Sequence, residues 1–272
     1  MRELSPLEKR VFNEGERLIP GITHNVDELI RHRNSYVFWK KIIEYDIAQG
    51  LVQSEKITII DFGCGVGHGC LTLAEIPDVH VVGVDNSAEV VEYAKQNYSK
   101  PNIDYEVADL QEYTETMPEV DYVVSRGVLE HIPDGLKIAN TSKWQRRLLF
   151  DVPYRETTGN PHHVLHNIDE THFENFKNVE LFYQDLQGYI YDATTKSDDP
   201  APNMIMCASR ADTLSSVSKL FSTFPLRPWY PAEDHEVCNT PAEVPNKHNL
   251  PFHRKVVGKL KYWWRKLGNG EN

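Results

Sequence analysis

The stretch Ile57-Thr-Ile-Ile-Asp61-Phe-Gly63-Cys-Gly65-Val-Gly67-His-Gly69 decides the fold. An apolar run ends in a carboxylate and passes into a turn with glycine at every second position. That is the pattern of a buried strand feeding a glycine-rich loop and then a helix. Glycine lets the backbone approach a ligand closely, and the helix that follows offers unpaired N–H groups. The dinucleotide fingerprint GxGxxG wants glycine at position 68, where this chain has His68. Asp61, just before the first glycine, stands where a carboxylate can receive a cationic amino group.

Eighteen residues past Gly67, Val81-Val-Gly-Val-Asp85-Asn86 repeats the motif of a strand ending in an acid. A carboxylate at that point can accept both hydroxyls of a ribose. Asp104-Tyr-Glu-Val-Ala-Asp109-Leu110 ends a third strand, and Asp109 can accept the exocyclic amine of an adenine. Each acid alone reads as an ordinary turn residue. Three of them at the carboxyl ends of successive strands point to a nucleoside ligand.

Apolar runs at 57–60, 79–84, 103–107, 122–124 and 148–152 alternate with helical patterns such as 87–97, where Ser87 is the expected N-cap. Strands separated by helices predict βαβ units, hence a parallel sheet covered on both faces. Runs at 179–183 and 204–208, joined by a loop carrying Asp198, Asp199, Pro200 and Pro202, predict a closing antiparallel hairpin. The expected fold is α/β, a Rossmann-like sheet of seven mostly parallel strands with helices on both faces. Residues 1–54 form an expected helical cap with Tyr36, Phe38, Trp39, Ile42 and Ile43 as its packing stripe; 55–210 form the main domain. Residues 211–251 are a proline-rich linker or arm, and 252–272 a basic amphipathic helix.

Asp61-x-Gly63-x-Gly65-x-Gly67, Asp85, Asp109 and Val128-Leu-Glu130-His131-Ile132 together resemble class I S-adenosylmethionine (SAM)-dependent methyltransferases, over about residues 57–210. The resemblance implies that Asp61 and the glycines hold the methionine end of SAM, Asp85 the ribose, and Asp109 with Leu110 the adenine. Cys64, Asn86, Ser125 and Tyr36 complete the cofactor contacts expected on this basis. Two flanking stretches are similar to a branch that accompanies glycosyltransferases and modifies surface polysaccharides or glycolipids. These are Asn13-Glu-Gly15-Glu16-Arg17-Leu-Ile-Pro20-Gly21 with His32-x-x-x-Tyr36, and Gly159-Asn160-Pro161-His162-His163-Val164 with Ile168-Asp-Glu-x-x-Phe173. Two positions depart from that branch: Ser35 stands where an arginine usually precedes the tyrosine, and Ser125-Arg126-Gly127 where an aromatic and an acid are usual.

The implied reaction is O-methylation of a sugar hydroxyl in a surface-glycan or glycolipid precursor. The alternatives are a small acceptor such as a quinone or amine, and a scaffold that binds SAM without catalysis. SAM carries its own electrophile, so the protein must position the acceptor and take its proton. A sugar hydroxyl is a poor nucleophile at neutral pH, and histidine is the usual base. His131, after the fourth strand, is the first candidate, and the His162/His163 pair, after the fifth, serves as base or sugar contact. Glu130, Asp151, Asp169 and Glu170 offer oxygen ligands without a metal-ligand spacing, so no metal is expected.

Composition excludes several other classes. Across 272 residues, 40% are hydrophobic and 25% charged, enough apolar content for a core. No apolar run approaches the roughly 18 residues of a membrane span, and the first residues are too charged for a signal peptide. A net charge of −11 argues against a general nucleic-acid binder. Cys64, Cys70, Cys207 and Cys238 show no CxxC pair and read as reduced thiols of a cytoplasmic protein. Residues 252–267 carry six Lys and Arg and no acid, leaving −17 on the rest of the chain. At about 100° per residue, Phe252, Val256, Val257, Leu260, Trp263, Trp264 and Leu267 fall on one face. That segregation is the pattern of a helix lying in anionic headgroups, peripheral to the inner membrane face. Its other reading is a contact with the protein's own acidic body or with a second copy in a homo-oligomer.

Overall fold

The computed structural model describes residues 4–13, 17–22, 26–50, 56–157, 159–196 and 202–218. Cys238, most of the expected 211–251 arm and the basic segment 252–272 lie outside them. Among the described residues, eight strands form one sheet: β1 (Ile57–Phe62), β2 (Val79–Asp85), β3 (Ile103–Val107), β4 (Val120–Arg126), β5 (Trp144–Pro153), β6 (Glu180–Gln184), β7 (Ile190–Asp192) and β8 (Met204–Arg210). Their order is β3-β2-β1-β4-β5-β8-β6-β7. The first five are parallel, and β8 enters antiparallel between β5 and β6. The fold is therefore the expected Rossmann-like sheet with its reversed closing strands. β7 is an addition, a three-residue edge strand paired antiparallel with β6. It falls within the stretch read as a plain connection between two hairpin strands.

Alternation along the strands divides the core in two. Ile57 and Ile59 face one layer with Val81, Tyr122 and Leu149. Ile60 and Phe62 face the other with Val84, Val123 and Phe150. Over the first layer lie α1 (Pro6–Asn13), α2 (Val26–Ala48), α3 (His68–Leu73) and α4 (Ala88–Asn97), contributing Val11, Trp39, Leu73 and Val90. Over the second lie α5 (Leu110–Thr116) and α6 (Gly135–Thr141), contributing Leu110 and Ala139. Such two-sided cover explains why the parallel strands read as continuous apolar runs.

The stripe foreseen in the N-terminal segment belongs to the 23-residue α2, whose Tyr36, Phe38, Trp39, Ile42 and Ile43 are all buried. Ser87 caps α4 as expected, its hydroxyl accepting from the Val90 N–H at 3.3 Å. Parallel register sets Asp61 beside Gly83 and Asp85 beside Val107. The carboxyl ends of β1, β2 and β3 thus open onto one rim, where open α/β sheets hold their ligands.

Candidate active site

The β1–α3 loop is built on positive φ at Gly63 (65°), Gly65 (53°) and Gly67 (93°). Val128 fills the space a side chain at 63 would need, and the Tyr105 hydroxyl does the same at 67. The place a side chain at Gly65 would take has nothing within 4 Å among the described residues. The middle of the loop is thus the open part, while its two ends are packed.

Asp61 forms the floor of this corner and is fully buried. The Tyr36 hydroxyl donates to its two carboxylate oxygens at 3.2 and 3.1 Å, and the Cys70 thiol to Oδ2 at 3.3 Å. Burial lifts the carboxyl from its ordinary 3.8 to about 7; the Cys70 and Tyr36 hydrogen bonds oppose the rise and neighbouring Asp85 adds to it. Cys64 is buried beside them, its thiol directed to the Gly65 carbonyl at 3.6 Å.

Asp85 accepts from the N–H groups of Gly65 (3.1 Å) and Ser87 (3.0 Å). The Arg17 guanidinium donates to both of its oxygens at 3.4 Å. Paired donors thus already meet Asp85 as the two hydroxyls of a ribose would. With the open face of Gly65 beside it, the corner fits an adenosyl group. Asn86 is exposed next to it. Asp109 is exposed at the rim and serves as N-cap of α5, its Oδ1 accepting from Gln111 N at 2.8 Å and Glu112 N at 3.3 Å. Leu110 behind it is buried. The Ser125 hydroxyl is spent inside the sheet, donating to the Phe62 carbonyl at 3.1 Å.

The two departures noted in the sequence meet at Asp151. This carboxylate at the end of β5 is fully buried. It accepts from Ser35 Oγ at 2.8 Å, Arg126 Nη1 at 3.2 Å and Gly127 N at 3.0 Å. Burial raises its pKa and the Arg126 charge opposes the rise. Arg126 supplies the cation from β4, and α2 supplies only a hydroxyl. Sequence reading did not place Arg126 in the site. The signal was a charged residue at the end of each of two neighbouring apolar strands, which must find a partner when buried.

A short 3-10 turn, Leu129–His131, follows β4. His131 Nδ1 lies 3.0 Å from the His162 carbonyl, and the His131 and His163 rings meet edge to face at 4.8 Å. His163 Nδ1 binds the Glu156 carboxylate, and the Asn160 amide lies 3.1 Å from its Nε2. The His162 side chain is exposed. The fold therefore unites His131 with His163 and directs only the backbone of His162 to them. Glu130 is buried beside the pair, and burial pushes its carboxyl up to about 8. Backbone N–H groups and Arg126 oppose that rise, while Asp151 and Glu156 add to it. Glu170 belongs elsewhere, in a cluster with Tyr154, Tyr183 and Lys196. Burial would raise its pKa, but bonds from Lys196, its own backbone and the two tyrosines bring it to about 2. Asp169 caps the turn at Glu170–Phe173.

The fold and this rim are similar to those of class I SAM-dependent methyltransferases. Residues 53–180 match the family described as "Methyltransferase domain". Phosphoethanolamine N-methyltransferase of Triticum aestivum is 40% identical over 80 residues, which span 28% of this chain and 15% of that protein. Trans-aconitate 2-methyltransferase of Azoarcus sp. (strain BH72) is 33% identical over 90 residues, 33% of this chain and 34% of its own. The chain thus covers about a third or less of each of these relatives. Among solved structures, WbdD superposes with a TM-score of 0.54 at 16% identity, over 75% of this chain and 46% of that one, a likeness of fold.

Proposed function

We propose that the protein transfers the methyl group of SAM to a hydroxyl of a sugar in a surface-glycan or glycolipid precursor. The observation that carries the cofactor half is the Gly65–Asp85 corner, where an open glycine and a carboxylate with paired donors fit an adenosyl group. In this reading Asp61 receives the ammonium of the methionine end, Asp85 the ribose, and Asp109 with Leu110 the adenine. SAM supplies an activated methyl on a sulfonium. The chain's own residues orient the acceptor, keep water from it and manage its proton.

The sugar half is supported by the loop Asn160-Pro161-His162-His163-Val164. It delivers His163 onto His131, and the acceptor hydroxyl docks beside this pair, where its proton is lost. The basic segment 252–267 supports a place at an anionic membrane surface, close to lipid-linked glycans. Labelled SAM should pass its methyl to a lipid-linked oligosaccharide, with the label recovered in the sugar. Recovery in none of a panel of such acceptors would refute the sugar reading.

An amine acceptor is the second reading. The Tyr154 and Tyr183 rings and Glu170 surround the Lys196 ammonium, at 5.0 and 4.7 Å from the two ring centres. That cluster is filled by the chain's own cation, so the support for an amine acceptor is instead the 40% identity over 80 residues to phosphoethanolamine N-methyltransferase. Phosphoethanolamine in the same assay distinguishes the two.

A further inference from the structure

We propose that Glu130, His131 and His163 form a site for one divalent transition-metal cation. One ligand atom from each lies within 4.8 Å of the others, the one such grouping among the described residues. The ligands come from two loops, after β4 and after β5, on the rim that carries the glycine loop. Val128, two residues before Glu130, packs directly on Gly63. The site is therefore a neighbour of the cofactor corner.

Three features point to a cation rather than to a chance cluster. Glu130 is 2% exposed, and its Oε2 is buried with no hydrogen-bond partner. A buried carboxylate oxygen is costly unless a donor or a cation meets it. Both imidazoles are also held in the tautomer that ligation needs. The His162 carbonyl and the Glu156 carboxylate can only accept, so the Nδ1 atoms facing them carry the protons and each Nε2 keeps its lone pair. The Asn160 amide, 3.1 Å from His163 Nε2, marks the direction of that lone pair, and the cation takes its place. Finally, Glu156 behind His163 is the carboxylate–histidine partnership that orients metal-bound imidazoles.

Two imidazoles and one carboxylate suit zinc, manganese or cobalt better than magnesium or calcium, which prefer all-oxygen sites. A zinc ion at about 2.0–2.2 Å from each donor draws the three atoms inward by roughly 1 Å. Glu130 and the His163 side chain, 8% exposed, close the buried side, while His131 is part-exposed, so the remaining coordination positions open on the His131 side. Resting on the methyl-transfer reading above, those positions take an acceptor oxygen and lower the pKa of its hydroxyl. The proton then leaves to solvent, and neither imidazole has to act as a free base.

The full-length protein, stripped with chelator, is titrated calorimetrically with Zn²⁺, Mn²⁺ and Mg²⁺, and with Co²⁺ followed by visible absorption. S-adenosylhomocysteine is titrated into the same samples. We expect one equivalent of zinc or manganese, weaker magnesium, and a rise in the thermal midpoint on loading. Glu130→Gln and His163→Ala should lose the site, and Glu156→Gln should weaken it by about 10–100-fold. Thermal unfolding of each metal-free variant checks that it folds. Nucleoside binding with no metal uptake, or uptake unchanged in Glu130→Gln and His163→Ala, would overturn the proposal. Metal uptake without nucleoside binding would sustain the site and remove the methyl-transfer reading instead.

Discussion

At Asp61, burial and hydrogen bonding pull in opposite directions. Enclosure favours the neutral acid, while the Cys70 thiol and Tyr36 hydroxyl favour the anion, and the balance falls at about 7. Between about pH 4 and pH 7 the folded state keeps a proton that the unfolded chain releases. Stability of the ligand-free protein therefore declines as pH rises through that window. Affinity for a ligand whose ammonium meets the ionised carboxylate moves the other way. Calorimetric titration with S-adenosylhomocysteine should show binding tightening from about pH 6 to about pH 8, with the midpoint near the Asp61 value. Asp61→Asn should flatten this profile and cost about 1.5–3 kcal/mol, tenfold or more in affinity. Tyr36→Phe removes a donor to the anion and should shift the midpoint upward. An unchanged profile in Asp61→Asn would assign the titration elsewhere. Asp61 was legible because its chemistry and the loop share one short stretch. The Glu130–His131–His163 grouping was not, because His163 lies on a separate loop and only the crossover between β4 and β5 brings it home.

Among the elements, α2 does most to join the two halves of the sheet. Its Tyr36 reaches Asp61 beneath the glycine loop, its Ser35 reaches Asp151 at the end of β5, and its Asn34 donates to the Gly188 carbonyl at 2.7 Å. Near its carboxyl end Asp46 takes two bonds from Arg147 of β5, at 2.7 and 2.8 Å, with both side chains almost wholly buried. Removing one member of such a pair strands the other charge. Asp46→Ala should lower stability by about 3–5 kcal/mol, read as a fall in the urea midpoint. Replacing both members, Asp46→Leu with Arg147→Met, should recover much of that loss, since a well-packed apolar pair avoids the desolvation cost. Equal destabilisation in the single and double variants would argue that packing, not charge, is at stake. The helix itself was legible from its apolar stripe. Its polar contacts were not, because each partner lies far along the chain, at Asp61, Arg147, Asp151 or Gly188. β7 escaped for a different reason: three residues are too few to show an alternation, and its pairing with β6 depends on the turn between them.

For the whole molecule, the separation of charge along the chain is the main long-range feature. Residues 252–267 carry six positive charges and the rest of the chain −17. Deleting residues 252–272 should release the protein from anionic liposomes in a flotation assay while leaving nucleoside binding intact. Retention of the truncated form on the liposomes would refute the membrane reading of that segment. Two scales of pattern were readable here for different reasons. Strand-and-helix alternation survives in the order of residues, and so does the segregation of charge, whereas neither says which acceptor the rim receives.

The two outermost strands of the sheet have a consequence for how molecules of this protein behave in company. β3 spans five residues and presents Asp104 and Glu106 outward, and β7 spans three. Short, charged margins offer little backbone on which a foreign strand can dock. The architecture thus discourages its sheets from splicing end to end, and crowded solutions should stay free of fibrils.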